Sequence, residues 1–193
     1  MSGTSILVYA ERVGGNLGEI EKLLAGPLAD FDGVHVLPFF HPYDGDDAGF
    51  DPIDHSIVDP RLGTWADLKR ISQTHELTAD LIVNHASYLS PEFKDWQEKG
   101  EASEFDGMFL TFDVVFPNGG TEDGITSFYR PRPGMPFTAY EVGGKRRLVW
   151  TTFMPSQVDI DIKHDAGKAY LVRVLEALKS GGVKVVRLDA VGY

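Results

Sequence analysis

Arg187 and Asp189 stand two positions apart in Val185-Val186-Arg187-Leu188-Asp189-Ala190-Val191-Gly192-Tyr193. Side chains at i and i+2 of a strand share a face, so an apolar strand here would end with a guanidinium beside a carboxylate. That pair suits two uses. One is a structural ion pair closing the strand end; the other is a nucleophilic carboxylate, kept ionised and oriented by the neighbouring cation. Asp80-Leu81-Ile82-Val83-Asn84-His85 repeats the layout upstream, a short apolar run terminating in polar side chains, with His85 open to a structural or a functional role. The C-terminal ends of strands are where α/β barrels place their chemistry, and polar strand ends converging on one face support one another. A chain ending directly after such a site is expected to be part of a longer enzyme.

Two further stretches carry chemistry. The polar loop His41-Pro42-Tyr43-Asp44-Gly45-Asp46-Asp47-Ala48-Gly49-Phe50-Asp51-Pro52-Ile53-Asp54-His55 is dense in carboxylates. It reads as a solvated acidic turn, as a calcium loop, or as a sugar clamp in which carboxylates accept hydroxyl hydrogen bonds and Phe50 supplies an apolar platform. Calcium takes several carboxylate oxygens, but Asp44, Asp46 and Asp54 miss the register of the helix–loop–helix calcium motif and its twelfth-position Glu. Tyr129-Arg130-Pro131-Arg132-Pro133-Gly134 is a basic loop stiffened by proline. It suits either an exposed turn or an anion contact, since Arg forks match phosphate and carboxylate geometry. Gly14-Gly15-Asn16-Leu17-Gly18 lacks the spacing of a dinucleotide fingerprint, and neither a phosphate-cradling GxxxxGK[ST] nor an HExxH motif occurs.

Composition narrows the class. With 193 residues, 42% of them apolar, the chain can bury a sizeable core and is not a disordered segment. It contains no cysteine, which excludes disulfides and thiolate metal sites and is consistent with a cytoplasmic protein. No apolar run approaches the roughly 18 residues of a membrane span, and the N-terminal residues lack the pattern of a signal peptide. A formal charge of −11 disfavours nucleic acid and anionic membranes as partners, while leaving a phosphate ligand to local arginines.

The elements that would hold these residues follow from periodicity. Ile6–Tyr9, Val34–Leu37, Leu81–Val83 and Val185–Leu188 are near-continuously apolar, as parallel strands buried on both faces are. Between them lie helical spacings. Gly18–Leu28 carries Ile20, Leu23, Leu24 and Leu28; Trp65–Thr74, with Thr64 as N-cap, carries Trp65, Leu68 and Ile71. Asp165–Lys179 carries Ala169, Val172, Leu175 and Leu178, and Gly181-Gly182 ends it. The β-α-β alternation requires a parallel sheet with right-handed crossovers. About 80 residues separate Ala86 from Asp165, far more than a βα loop holds, and their aromatic content predicts a small inserted subdomain.

These motifs resemble a known family. Asp80-Leu81-Ile82-Val83-Asn84-His85 is similar to the first conserved region of the α-amylase clan, and Arg187-Leu188-Asp189 to its second. His35-Val36-Leu37-Pro38-Phe39-Phe40, Asp46 through His55, Val115-Phe116-Pro117-Asn118-Gly119, Tyr129 through Gly134 and Arg187 through Tyr193 resemble its sucrose phosphorylase branch, from end to end of the chain. Amylases usually carry Gly where Val185 stands and Lys-His where Gly192-Tyr193 stand, a departure that favours the phosphorylase branch over starch binding.

The resemblance implies the first half, strands one to four, of a (β/α)8 barrel with a small domain inserted after strand three. Residues 1–85 would form strands one to three, 86–164 the insertion, and 165–193 helix three and strand four. It further implies a retaining transferase that converts sucrose and phosphate to α-glucose 1-phosphate and fructose, without cofactor or metal. Asp189 would be the nucleophile with Arg187 beside it. Asp47 and His85 would hold glucosyl hydroxyls, Phe50 and Phe153 would offer platforms, and Gln157 would contact sugar. Tyr129 and Arg132 would face the acceptor. A homodimer is compatible with the resemblance. Related phosphorylases of glucosylglycerol, glucosylglycerate or sucrose 6-phosphate, or a non-catalytic carbohydrate-binding half-barrel, are the alternatives. The general acid and a second sugar-fixing Asp fall on later strands, so this piece alone is expected to be inactive.

Overall fold

The computed structural model describes residues 3–129 and 131–192, which leaves Met1, Ser2, Arg130 and Tyr193 outside the described residues. The chain forms two compact units, one of residues 1–83 with 171–191, the other of residues 84–170 with the C-terminal end.

The first unit is built on a four-stranded parallel sheet in the order β1-β2-β5-β10: β1 (Ser5–Val8), β2 (Gly33–Val36), β5 (Glu76–Ile82) and β10 (Val185–Asp189). Register pairs Val8 with Val36 and Val36 with Ala79, and also Leu188 with Leu81. One face of the sheet is therefore apolar, and Val8, Val34, Val36, Leu77, Ala79 and Leu81 on it are buried. The opposite face departs from the sequence expectation of strands apolar on both sides. Leu7 pairs with His35 and His35 with Thr78; two residues on, Asp80 pairs with Arg187, and Asp189 follows on the same side. Strand β5 is accordingly longer than the apolar run Leu81–Val83 suggested, because the polar residues Glu76, Thr78 and Asp80 belong to it.

Two helices follow the first two strands. Helix α1 (Leu17–Leu24) begins at Asn16, whose side chain accepts the Glu19 N–H, and it buries Leu17, Ile20 and Leu24. Helix α2 (Trp65–Ile71) starts at Thr64, whose N–H and hydroxyl both donate to the Asp67 carboxylate at 2.7 Å. It buries Leu68 and Ile71, while Trp65 packs edge-on against Phe39. Each fully buried Leu or Ile contributes about 1.5–3 kcal/mol of transfer free energy. Helix α6 (Asp165–Ser180) departs from its expected stripe: Tyr170, Val174 and Leu178 are buried at intervals of four, whereas Val172 and Leu175 are exposed. Both rows are apolar at helical spacing, so periodicity did not separate them. Between β2 and α2 a small antiparallel pair, β3 (Phe40–His41) and β4 (Asp54–Val58), brackets the acidic loop.

The second unit pairs β6 (His85–Ser87) with β9 (Gln157–Asp159) and β7 (Phe137–Val142) with β8 (Lys145–Trp150), both antiparallel. Helix α3 (Pro91–Lys99) is capped by Ser90, and the short helices α4 (Phe112–Val115) and α5 (Glu122–Thr126) follow. Phe93, Trp96 and Phe109 form its centre, with ring centroids 5.0–5.6 Å apart. Phe137 and Trp150 anchor a second aromatic group.

Candidate active site

The polar face of the parallel sheet carries the densest charge arrangement. Asp80 is fully buried and its two carboxylate oxygens have separate partners: Oδ2 lies 3.0 Å from His35 Nε2, and Oδ1 accepts from Arg187 Nη1 at 2.5 Å. The other amino nitrogen of Arg187, Nη2, is 3.1 Å from Asp189 Oδ1. Strand register puts Asp80 beside Arg187, and the two-residue period puts Asp189 on the same side. The guanidinium is thus shared between a buried carboxylate and a strand-end carboxylate. The Asp80 bond above all, and then the charges of Asp80 and Asp189, hold Arg187 above its ordinary pKa against the cost of burial. The Asp189 side chain is 18% exposed.

The acidic loop reaches the same charges. The Arg187 guanidinium carbon lies 5.9 Å from the centre of the Phe50 ring, within cation–π range. Tyr9, just beyond β1, feels the charges of both Asp80 and Asp47; burial raises its pKa, Arg12 opposes, and Glu11, Asp80 and Asp47 add to the rise. The loop is held from within. Asp51 accepts the backbone N–H of Asp46 at 2.9 Å and of Asp47 at 3.2 Å. Ala48 and Gly49 turn through positive φ of 52° and 86°. A Cβ on Gly49 would stand 2.8 Å from the Tyr43 carbonyl oxygen, so glycine is required at this turn. Burial raises the Asp51 carboxyl pKa, and the two N–H donors offset part of the rise.

A second set of bonds clamps the loop's ends. Fully buried Asp59 accepts from Tyr43 N (3.2 Å), Arg61 N (2.9 Å), Arg61 Nε (3.0 Å) and Arg61 Nη2 (2.7 Å). Arg61 in turn forks onto Asp44 at 2.6–2.7 Å and lies over the Tyr43 ring. Burial pushes the Asp59 carboxyl up, but Arg61 and the two backbone donors outweigh it and hold the group far below the usual carboxylate range. Internal bonds occupy several carboxylates of the loop read as a possible calcium site: Asp44 serves Arg61, Asp51 serves the loop backbone, and Asp54 accepts from Ser56. Among the described residues no group of three or more His, Cys, Asp or Glu is arranged to hold a metal.

In the second unit, His85 of β6 is buried and its ring contacts Phe153 at 5.4 Å between centroids. Gln157 of β9 is buried opposite Ser87. Asp159, opposite His85, accepts the Thr152 N–H at 3.0 Å and its hydroxyl at 2.5 Å. Tyr129 is 77% exposed and Arg132 is exposed, both on the segment between α5 and β7. The structure therefore groups Asp189, Arg187 and Phe50 with the Asp47 loop in one unit, and His85, Phe153 and Gln157 in the other. Sequence reasoning assigned no role to His35, Tyr9, Asp51 or Asp59, and left Asp80 as the start of a motif. The usable signal was a His and an Asp inside otherwise apolar strands, since a buried charge requires a partner.

Residues 20–193 match the family model described as α-amylase, catalytic domain. The chain belongs to the α-amylase family. The catalytic domain of this family is a TIM barrel, and the parallel sheet of the first unit is its N-terminal part. Two curated relatives are sucrose phosphorylases. That of Bifidobacterium adolescentis is 50% identical over 190 residues, 97% of this chain and 38% of its own length. That of Agrobacterium vitis is 46% identical over 195 residues, 100% of this chain and 40% of its own. A crystal structure of sucrose 6F-phosphate phosphorylase from Thermoanaerobacter thermosaccharolyticum superposes with a TM-score of 0.91 at 36% identity, covering 98% of this chain and 40% of that one. The chain thus spans about two fifths of the relatives it matches.

Proposed function

We propose that these residues are the N-terminal part of a sucrose phosphorylase, which transfers the glucosyl group of sucrose to phosphate and yields α-glucose 1-phosphate and fructose. The observation that carries this reading is the Asp80–Arg187–Asp189 arrangement, in a chain 46–50% identical to two sucrose phosphorylases. Asp189 is ionised beside Arg187 and attacks the anomeric carbon of the glucosyl group. The bond to the fructosyl oxygen breaks as a general acid on a later strand protonates it. A β-glucosyl ester on Asp189 results, and phosphate opens it from the opposite face, so two inversions give net retention. Retaining enzymes set their two carboxyl groups about 5–5.5 Å apart. Carboxylates at Asp47, Asp80 and Asp189 against the single guanidinium of Arg187 make a negative environment that stabilises the oxocarbenium-like transition state.

Asp47 and His85 hold glucosyl hydroxyls, Phe50 and Phe153 offer apolar platforms for the sugar, and Gln157 contacts the sugar. Tyr129 and Arg132, on a subdomain of residues 86–164 inserted after barrel strand three, serve the acceptor side. Cytoplasmic location and a homodimer complete the proposal; no helix among the described residues is long and apolar enough to cross a membrane. Sucrose ranks first because two sucrose phosphorylases are 46–50% identical to this chain, against 36% for the sucrose 6F-phosphate enzyme. The test is product analysis of an enzyme of the relatives' length carrying this chain, given sucrose and phosphate. α-Glucose 1-phosphate is expected. Release of the β-anomer, or turnover only with a phosphorylated sucrose, refutes the reading.

A further inference from the structure

We infer that His35 is a positioning residue for the nucleophile, acting through Asp80 and Arg187; this rests on the proposed role of Asp189. The terminal torsion of an aspartate is broad, so one contact leaves its carboxylate free to turn. Two contacts on different oxygens fix it. His35, on β2, occupies Oδ2 of Asp80 at 3.0 Å, which leaves Oδ1 to Arg187 Nη1. With one end of the guanidinium fixed, its planar fork sets the place of the other, and Nη2 meets Asp189 Oδ1 at 3.1 Å. Three neighbouring strands thus supply one line of contacts: His35 from β2, Asp80 from β5, Arg187 and Asp189 from β10.

Burial makes this line selective. The Asp80 side chain is wholly inaccessible and that of His35 only 12% accessible, whereas Arg187 is 49% accessible. While a side chain of that size fills the position of His35, water does not reach Oδ2. Without a donor at that oxygen, the Asp80 carboxylate turns to give Arg187 both oxygens. A bidentate grip draws the guanidinium away from Asp189. The loss falls on a step in which the orientation and charge of Asp189 matter, namely formation of the glucosyl ester, and much less on the binding of sucrose.

The comparison that tests this is His35→Gln against His35→Met in the full-length enzyme. The two side chains have nearly equal length, and only Gln can donate to Asp80. Rapid-quench measurement of fructose released in the first turnover reads ester formation; KM for sucrose and the melting temperature are recorded beside it. The Met variant should slow ester formation about 10- to 150-fold, the range expected for one charge-assisted hydrogen bond, with KM changed less than about threefold. Gln should recover at least a fifth of the wild-type rate. Equal rates for Gln and Met overturn the inference. So does a Met variant that fails to fold while Gln folds, since that makes the contact structural. Asp189→Asn in the same assay separates the two claims: residual turnover there removes the nucleophile reading itself, whereas an inactive Asp189→Asn with equal Gln and Met removes only the role of His35.

Discussion

Replacing Asp59 with alanine should release the loop that carries Asp47 and Phe50, and its cost can be worked from the contacts. The buried carboxylate accepts four bonds, two from the backbone of Tyr43 and Arg61 and two from the Arg61 side chain. Each backbone N–H left without its acceptor costs about 1–3 kcal/mol. The guanidinium is half exposed and keeps Asp44, so its share is that of a surface pair, about 0–1 kcal/mol. The sum is about 2–7 kcal/mol, or a fall of roughly 4–28 °C in Tm at about 2–4 °C per kcal/mol. Asp44→Ala, which removes only the exposed end of the network, should cost less than about 1 kcal/mol. The pH dependence has a fixed sign. The Asp59 carboxyl is held below its unfolded pKa, so its stabilisation is complete above about pH 4 and is lost as pH falls through the native value. Thermal unfolding followed by circular dichroism should therefore show a large gap between wild type and Asp59→Ala at pH 7 that narrows toward pH 2.5. A gap under about 2 °C at pH 7, or one of equal size at both pH values, refutes this reasoning.

Other perturbations probe the ligand side. Arg132→Ala in the full-length enzyme should lower phosphorolysis or raise the phosphate KM by about 10- to 150-fold, as expected for one charge-assisted contact, with a smaller effect on sucrose hydrolysis; equal loss of both activities removes the acceptor role. Asp51→Ala frees the N–H groups of Asp46 and Asp47 and should raise the sucrose KM about 5- to 30-fold through misplacement of Asp47. An unchanged KM would show that the loop holds its shape without Asp51.

The sequence made some elements legible because their information is local. The apolar runs around Val8, Val36, Leu81 and Val186 located the four parallel strands, and Thr64 marked a helix start through its capping chemistry, whereas the Asn16 cap of α1 went unread. The two-residue period placed Arg187 beside Asp189, as the 3.1 Å contact bears out. What stayed hidden depends on register between strands distant in sequence. His35 and Asp80 lie 45 positions apart, and Asp80 and Arg187 107; only the pairing of β2 with β5 and of β5 with β10 brings them together. The same polar face shortened the expected β5, because Glu76, Thr78 and Asp80 interrupt its apolar run. In the acidic loop the count of carboxylates was visible but not their partners, since Arg61 reaches Asp44 across 17 residues. Both antiparallel hairpins escaped notice for a related reason: β3 has two residues, and β7 and β8 alternate too weakly in burial to mark strands.

If Asp189 forms the covalent glucosyl ester, acid quenching of the full-length enzyme during sucrose turnover should trap it, and peptide mass spectrometry locates it. A hexosyl adduct is expected on the peptide containing Asp189, absent from Asp189→Asn, whose fold should be retained. An adduct on any other residue, or glucose 1-phosphate formed by Asp189→Asn at a rate near that of wild type, would contradict that role of Asp189.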